Sequence, residues 1–207
     1  NKGLAPMLDV LQNLSLTLGA SWASGIRLYF TAAALGVAHR MQWVDLPGNL
    51  EILSNPLVIG AAGVLGAAEF LSDKFPVVDS AMDSVNTFVR PLGGGIMAFL
   101  AASDLPPFLQ TASGLLGGSV SLTTHAVKAT TRAAVNTSPE PVTNVATSTA
   151  EDGLAAGGIW LLIAHPLVMA VLVILFLVFA VWFLRKMARF LKKVFRSFFK
   201  APAKEPS

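Results

Sequence analysis

Ser121, His125, Lys128 and Arg132 recur at i, i+4, i+7 and i+11, which sets them on one face of a helix. An imidazole beside an ammonium and a guanidinium suits anion capture. Lysine brings a compact charge, and arginine a planar fork that matches phosphate or carboxylate oxygens. The stripe opens a longer polar block, 125–152, that also holds Asn136, Glu140, Asn144, Glu151 and Asp152. Within it, Asn144, Ser148 and Asp152 repeat the helical spacing, as do Asp79, Asp83, Asn86 and Arg90 in an earlier segment. Just ahead of that segment Glu69 and Asp73 lie one turn apart, and Lys74 follows them.

These residues support two assignments. His125, Lys128, Arg132, Asn136, Glu140, Asn144, Lys74 and Arg90 are candidates for binding an anionic group of a substrate, with His125 also a pH-sensitive gate. Glu69, Asp73, Asp79, Asp83, Glu151 and Asp152 are candidates for proton or cation coupling, as proton-carrying carboxylates or hard oxygen ligands. The competing reading is structural: the cations and carboxylates pair so that helix contacts become tolerable. SPEP at 138–141 reads as a rigid turn, with Asn144 capping the helix after it.

The elements that must position these groups are oily. Of 207 residues, 54% are hydrophobic and only 13% charged, and the mean hydropathy is +0.63. Soluble domains carry about 25% charged residues, so the composition indicates an all-α, polytopic integral membrane protein. Charged groups then have to face protein, water or a ligand. There are no cysteines, which excludes disulfides and thiol-ligated metals. No HExxH, GxSxG or P-loop occurs, so neither an enzyme nor a metal or other cofactor is expected.

About six transmembrane helices are expected, with broken or kinked polar segments. The first covers about 10–38 and carries Gly25 and Arg27 near mid-depth, where the helix bends or the arginine points inward. The second, 56–72, is rich in glycine and alanine, a pattern for close helix packing. The third is expected to start near Asp79 and bend at Pro91, the fourth near Phe108, and the fifth to end at Ala164. Uncharged 167–184 is the clearest span. Residues 1–184 thus form a transmembrane domain and 185–207 a basic amphipathic cytoplasmic tail.

Six crossings place both termini on one side. That side collects 13 of the 15 lysines and arginines: Lys2, Lys74, Arg90, Lys128, Arg132 and the eight of the tail. Positive charge concentrates on the cytoplasmic side. A bacterial inner membrane with cytoplasmic N and C termini follows. The expected partners are the bilayer itself, anionic lipids at the tail, and a homo-oligomer or larger membrane complex, with no nucleic acid.

ASGIRLYF at 23–30, AEFLSDKFPVVDSAMDSVNTFVRP at 68–91, the 125–152 block and the HP before the last helix carry a resemblance over nearly the whole chain. The sequence resembles an uncharacterised family of small prokaryotic integral membrane proteins, domain-of-unknown-function family 4126. That resemblance implies a membrane-embedded fold and no established activity. The expected function is a transporter or channel-like protein for a small anionic or lipid-phosphate solute, coupled to protons or cations, with a polar centre open to the cytoplasm. The alternative is an accessory subunit of a larger membrane complex, whose charges would close into salt bridges.

Overall fold

A computed structural model describes residues 4–136 and 141–198. They form α1 (Leu4–Arg40), a 3₁₀ helix (Gly48–Ser54), α2 (Pro56–Ser72), α3 (Pro76–Ala101), α4 (Pro107–Asn136), α5 (Pro141–Ala164) and α6 (Pro166–Phe198). The described residues are all-helical, without a strand. Each α-helix after the first begins on a proline. Proline's fixed φ suits a first helical turn, where its missing N–H would have had no partner. Pro91 is the exception, because α3 runs through it without interruption. The third helix therefore starts at Pro76 rather than near Asp79.

α1 is organised around Arg27, whose backbone leaves the helical region (φ −147°, ψ 84°). Its neighbours on α5 trace the path. A side chain on Gly19 would meet Leu162, one on Gly158 would meet Trp22, and Arg27 pairs with Asp152. Beyond Arg27 the order reverses: Phe30 lies by Ala156, then Ala34, Val37 and Ala38 line a groove with Ile159, Ile163 and Ala164. In a straight helix Gly19 and Val37 would stand about 27 Å apart at 1.5 Å per residue, yet both sit beside the last turn of α5. The halves 4–26 and 28–40 therefore form a V with its vertex at Arg27.

This corrects the expected topology. The first stretch does not traverse the bundle, so six crossings with both termini on one side do not occur. α1 starts and ends at the end of the bundle that holds the α3–α4 turn, whereas α6 runs to the other end. α6 also continues without a break to Phe198, so the first part of the basic tail prolongs that helix.

α1 touches all five other α-helices, and its upper halves join the α3–α4 and α5–α6 turns in one apolar core containing Leu16, Leu35, Leu50, Leu162 and Met169. α3 and α4 approach most closely, backbone against backbone, through Gly94, Gly95, Gly114, Gly117 and Gly118. Outside, the polarity is inverted relative to a water-soluble bundle. Leu57, Phe88 and Phe108 are 83%, 73% and 71% exposed, whereas Glu69 and Arg90 are at 0% and Arg132 at 1%. By length and composition Pro166–Phe190 can cross a membrane (25 residues, mean hydropathy 3.2), and the 3₁₀ helix and α2, bent by 69°, pass the same test as a pair. The helices that do not pass alone include those that carry the inward-facing charges.

Candidate functional site

The V of α1 ends in the charged layer. At its vertex Asp73, at the C-terminal end of α2, holds one carboxylate oxygen, Oδ2, against three cations: Arg27 Nη1 at 3.0 Å, Lys128 Nζ at 3.2 Å and Arg132 Nη2 at 3.6 Å. Arg132 grips Glu151 through two parallel bonds, Nε to Oε1 at 2.9 Å and Nη2 to Oε2 at 2.8 Å. Lys128 reaches the same Glu151 at 3.4 Å. Arg27 also pairs with Asp152 Oδ1, and Lys74 with Asp152 Oδ2 at 3.4 Å.

A second cluster lies against the other side of the vertex. Arg90 donates to Glu69 at 2.5 Å and to His125 Nδ1 at 2.8 Å, with Asp83 more distant at 3.9 Å. Because Nδ1 accepts from a guanidinium, His125 is neutral, and its Nε2–H faces Thr87 Oγ1 at 3.0 Å. A proton added at Nδ1 would set two cations against each other, so this contact opposes the gate expected of His125.

The break in α1 is stabilised from both clusters. Backbone carbonyls freed where a helix stops need partners. Gly25 O accepts from Arg90 at 3.3 Å and Ile26 O from Lys128 at 3.4 Å. Cations at the C-terminal end of the half 4–26 also complement its dipole. Asn144 does not cap α5. It lies inside that helix, accepts from Arg132 at 2.9 Å, and donates to the carbonyls of Asp73 and Lys74 at the end of α2.

Of the residues marked out by spacing, Glu69, Asp73, Lys74, Asp83, Arg90, His125, Lys128, Arg132, Asn144, Glu151 and Asp152 come together here. Asp79 lies on α3 and Asn136 ends α4, but their side chains, and Glu140, fall outside the described residues. The expected open polar centre is closed: Lys128 and Asp73 side chains are 3% and 2% exposed. Arg90, Lys128 and Arg132 are inside the bundle rather than in connectors, so the charge asymmetry rests on the tail. Arg27 and the carbonyls of Gly25 and Ile26 contribute without any periodic signal. Arg27 was legible only as a lone charge in an apolar run.

Among the described residues, Arg27 Nε, Glu69 Oε2, Asn86 Nδ2 and Arg90 Nε are buried without a hydrogen-bond partner. Residues 14–186 match a family described as a domain of unknown function, DUF4126. The chain belongs to that family. No curated protein and no solved structure matches it, so within this DUF4126 member the site has to be read from its own geometry.

Proposed function

We propose that this DUF4126 member is a polytopic inner-membrane protein of transporter type, in which buried carboxylates occupy the place of an anionic solute. α2–α6 cross the bilayer and α1 is re-entrant, with the basic end of α6 cytoplasmic, in keeping with the positive-inside rule. The observation that carries the reading is the single Asp73 oxygen shared by Arg27, Lys128 and Arg132 at a broken helix. Irregular backbone at membrane depth is tolerated where it lines a site, and broken helices frame transporter sites.

The exchange is a competition. An entering phosphate or carboxylate takes the three cations, and Asp73 leaves them by accepting a proton. Each anion bound is thus accompanied by a proton taken up, and binding strengthens as pH falls. The Glu69–Arg90–His125 cluster holds the vertex while this happens.

A thermal-shift series on the detergent-purified protein tests this, with inorganic phosphate, glycerol phosphate, succinate and lipid phosphates at acid and alkaline pH. A ligand at a hundred times its Kd adds about 2.7 kcal/mol to the native state. The expected result is stabilisation of wild type, larger at acid pH. Lys128→Ala/Arg132→Ala loses it, and Asp73→Asn keeps it without the pH dependence.

The second reading is an accessory subunit. It is favoured by the closed ion pairs and by open small-residue faces: a side chain on Gly60 or Gly63 of α2, or on Gly153 or Gly157 of α5, would meet nothing within 4 Å. Such faces let a partner helix approach closely. If no anion stabilises wild type at either pH, the exchange reading fails and this one stands.

A further inference from the structure

Among the described residues, the charged layer has a flank that no helix covers. α2 and α5 both pack on α1, and between them a cavity of about 250 Å³ is lined by Arg27, Phe30, Gly66, Phe70 and Asp152, with Ala155 and Ala156 behind. Phe30 and Ala156 also belong to an apolar groove of about 730 Å³ that follows the half 28–40 of α1 along α5, past Ala34, Ile159 and Trp160. Cavity and groove therefore adjoin at Phe30 and Ala156, polar at the inner end and apolar along the groove. The groove, at about 730 Å³, is of the size that holds small organic ligands.

Three features select the chemistry of the polar end. Arg27 lines it, is 3% exposed, and its Nε has no hydrogen-bond partner among the described residues. The half 28–40 begins at the same point, and a helix N-terminus directs free N–H groups and positive potential at a bound anion. Arg27 and Lys74 divide the two oxygens of one carboxylate, Asp152, whose side chain is 25% exposed against 2% for Asp73. Asp152 is thus the carboxylate most readily replaced. Lys74 also stands 4.3 Å over the ring of Phe70, so a second cation waits at the rim.

We infer that this cleft takes an anionic phospholipid from the side. Its phosphate pairs with Arg27 and Lys74 in place of Asp152, and an acyl chain lies along the groove. The inference rests on the anion-exchange reading through Arg27, which pairs with both Asp73 and Asp152: the headgroup of an amphiphile arriving laterally replaces the outer carboxylate, Asp152, and reaches the cation that Asp73 shares.

Native mass spectrometry of the full chain in detergent tests it, with dioleoyl phosphatidic acid, dioleoyl phosphatidylcholine and inorganic phosphate as probes. Wild type is expected to retain phosphatidic acid about tenfold better than phosphatidylcholine, one decade of affinity. Ala156→Phe fills the junction of cavity and groove from an exposed position and removes no charge. It should lose that preference while inorganic phosphate still stabilises the protein as in wild type. Asp152→Asn removes the internal competitor and should raise phosphatidic acid retention. Equal retention of the two lipids by wild type, or unchanged retention in Ala156→Phe, overturns the lipid assignment. If inorganic phosphate still stabilises wild type in that case, anion exchange stands without it. If phosphate also has no effect, both fail.

Discussion

Arg90→Ala lowers the unfolding midpoint of the purified protein by about 10 °C. The substitution leaves Glu69 fully buried with its cation gone. Breaking a buried ion pair from one side costs about 3–5 kcal/mol, and a domain of this size shifts by roughly 2–4 °C per kcal/mol. The loss has two further parts. Gly25 O at the break in α1 loses its donor, and so does His125 Nδ1. Arg90→Met combined with Glu69→Leu removes both charges and fills their volume, and should recover most of the midpoint, since well-packed apolar replacements of buried pairs are often neutral. A single variant as stable as wild type in thermal denaturation would mean that Glu69 is not a buried charge. The pair would then not be holding the vertex of α1.

The second large effect lies where α1, α3 and α4 meet. Gly117→Ala places a methyl group onto the Cβ of Ala98, with Ser21 Oγ at 2.8 Å and the Gly94 carbonyl at 2.9 Å. Backbone and a neighbouring Cβ cannot swing aside as a long side chain can, so the helices must separate. Overpacking of this kind costs about 1–3 kcal/mol. The reciprocal change tests the geometry: Ala98→Gly added to Gly117→Ala removes the methyl group that is struck, and the double variant should regain most of the lost midpoint. If Gly117→Ala melts with wild type, α3 and α4 are not in backbone contact there. The same separation would draw Ser121 off the Arg90 carbonyl, a 2.8 Å bond, and so disturb the Glu69 cluster from a distance.

Much of the fold was legible because it is locally encoded. The prolines at 56, 107, 141 and 166 mark helix starts through their own φ and their missing N–H. Ser121, His125, Lys128 and Arg132 share an inward face because the helical repeat is indifferent to what surrounds it, and all four are buried. The small-residue run of α2 suggested close packing, yet among the described residues a side chain on Gly60 or Gly63 would meet nothing within 4 Å, and the tight contact is made instead by Gly114, Gly117 and Gly118 of α4 against α3. The helix through Pro91 was legible too, since the apolar run after it is too short to stand alone, but its start at Pro76 rather than near Asp79 was not.

By itself the sequence determined an all-helical chain, where most helices begin, which stripes must be hidden and that an apolar exterior surrounds them. Period and hydropathy are one-dimensional signals, and each helix carries its own. Only the tertiary structure decided that the first apolar run turns back at Arg27, since a helix that crosses and one that returns have the same hydrophobic period until a single φ/ψ pair departs. It alone decided which carboxylate meets which cation: Arg27 reaches Asp152 across 125 residues of chain and Lys128 reaches Asp73 across 55. Pairing at that range is set by where α2, α4 and α5 converge, and no local spacing records it.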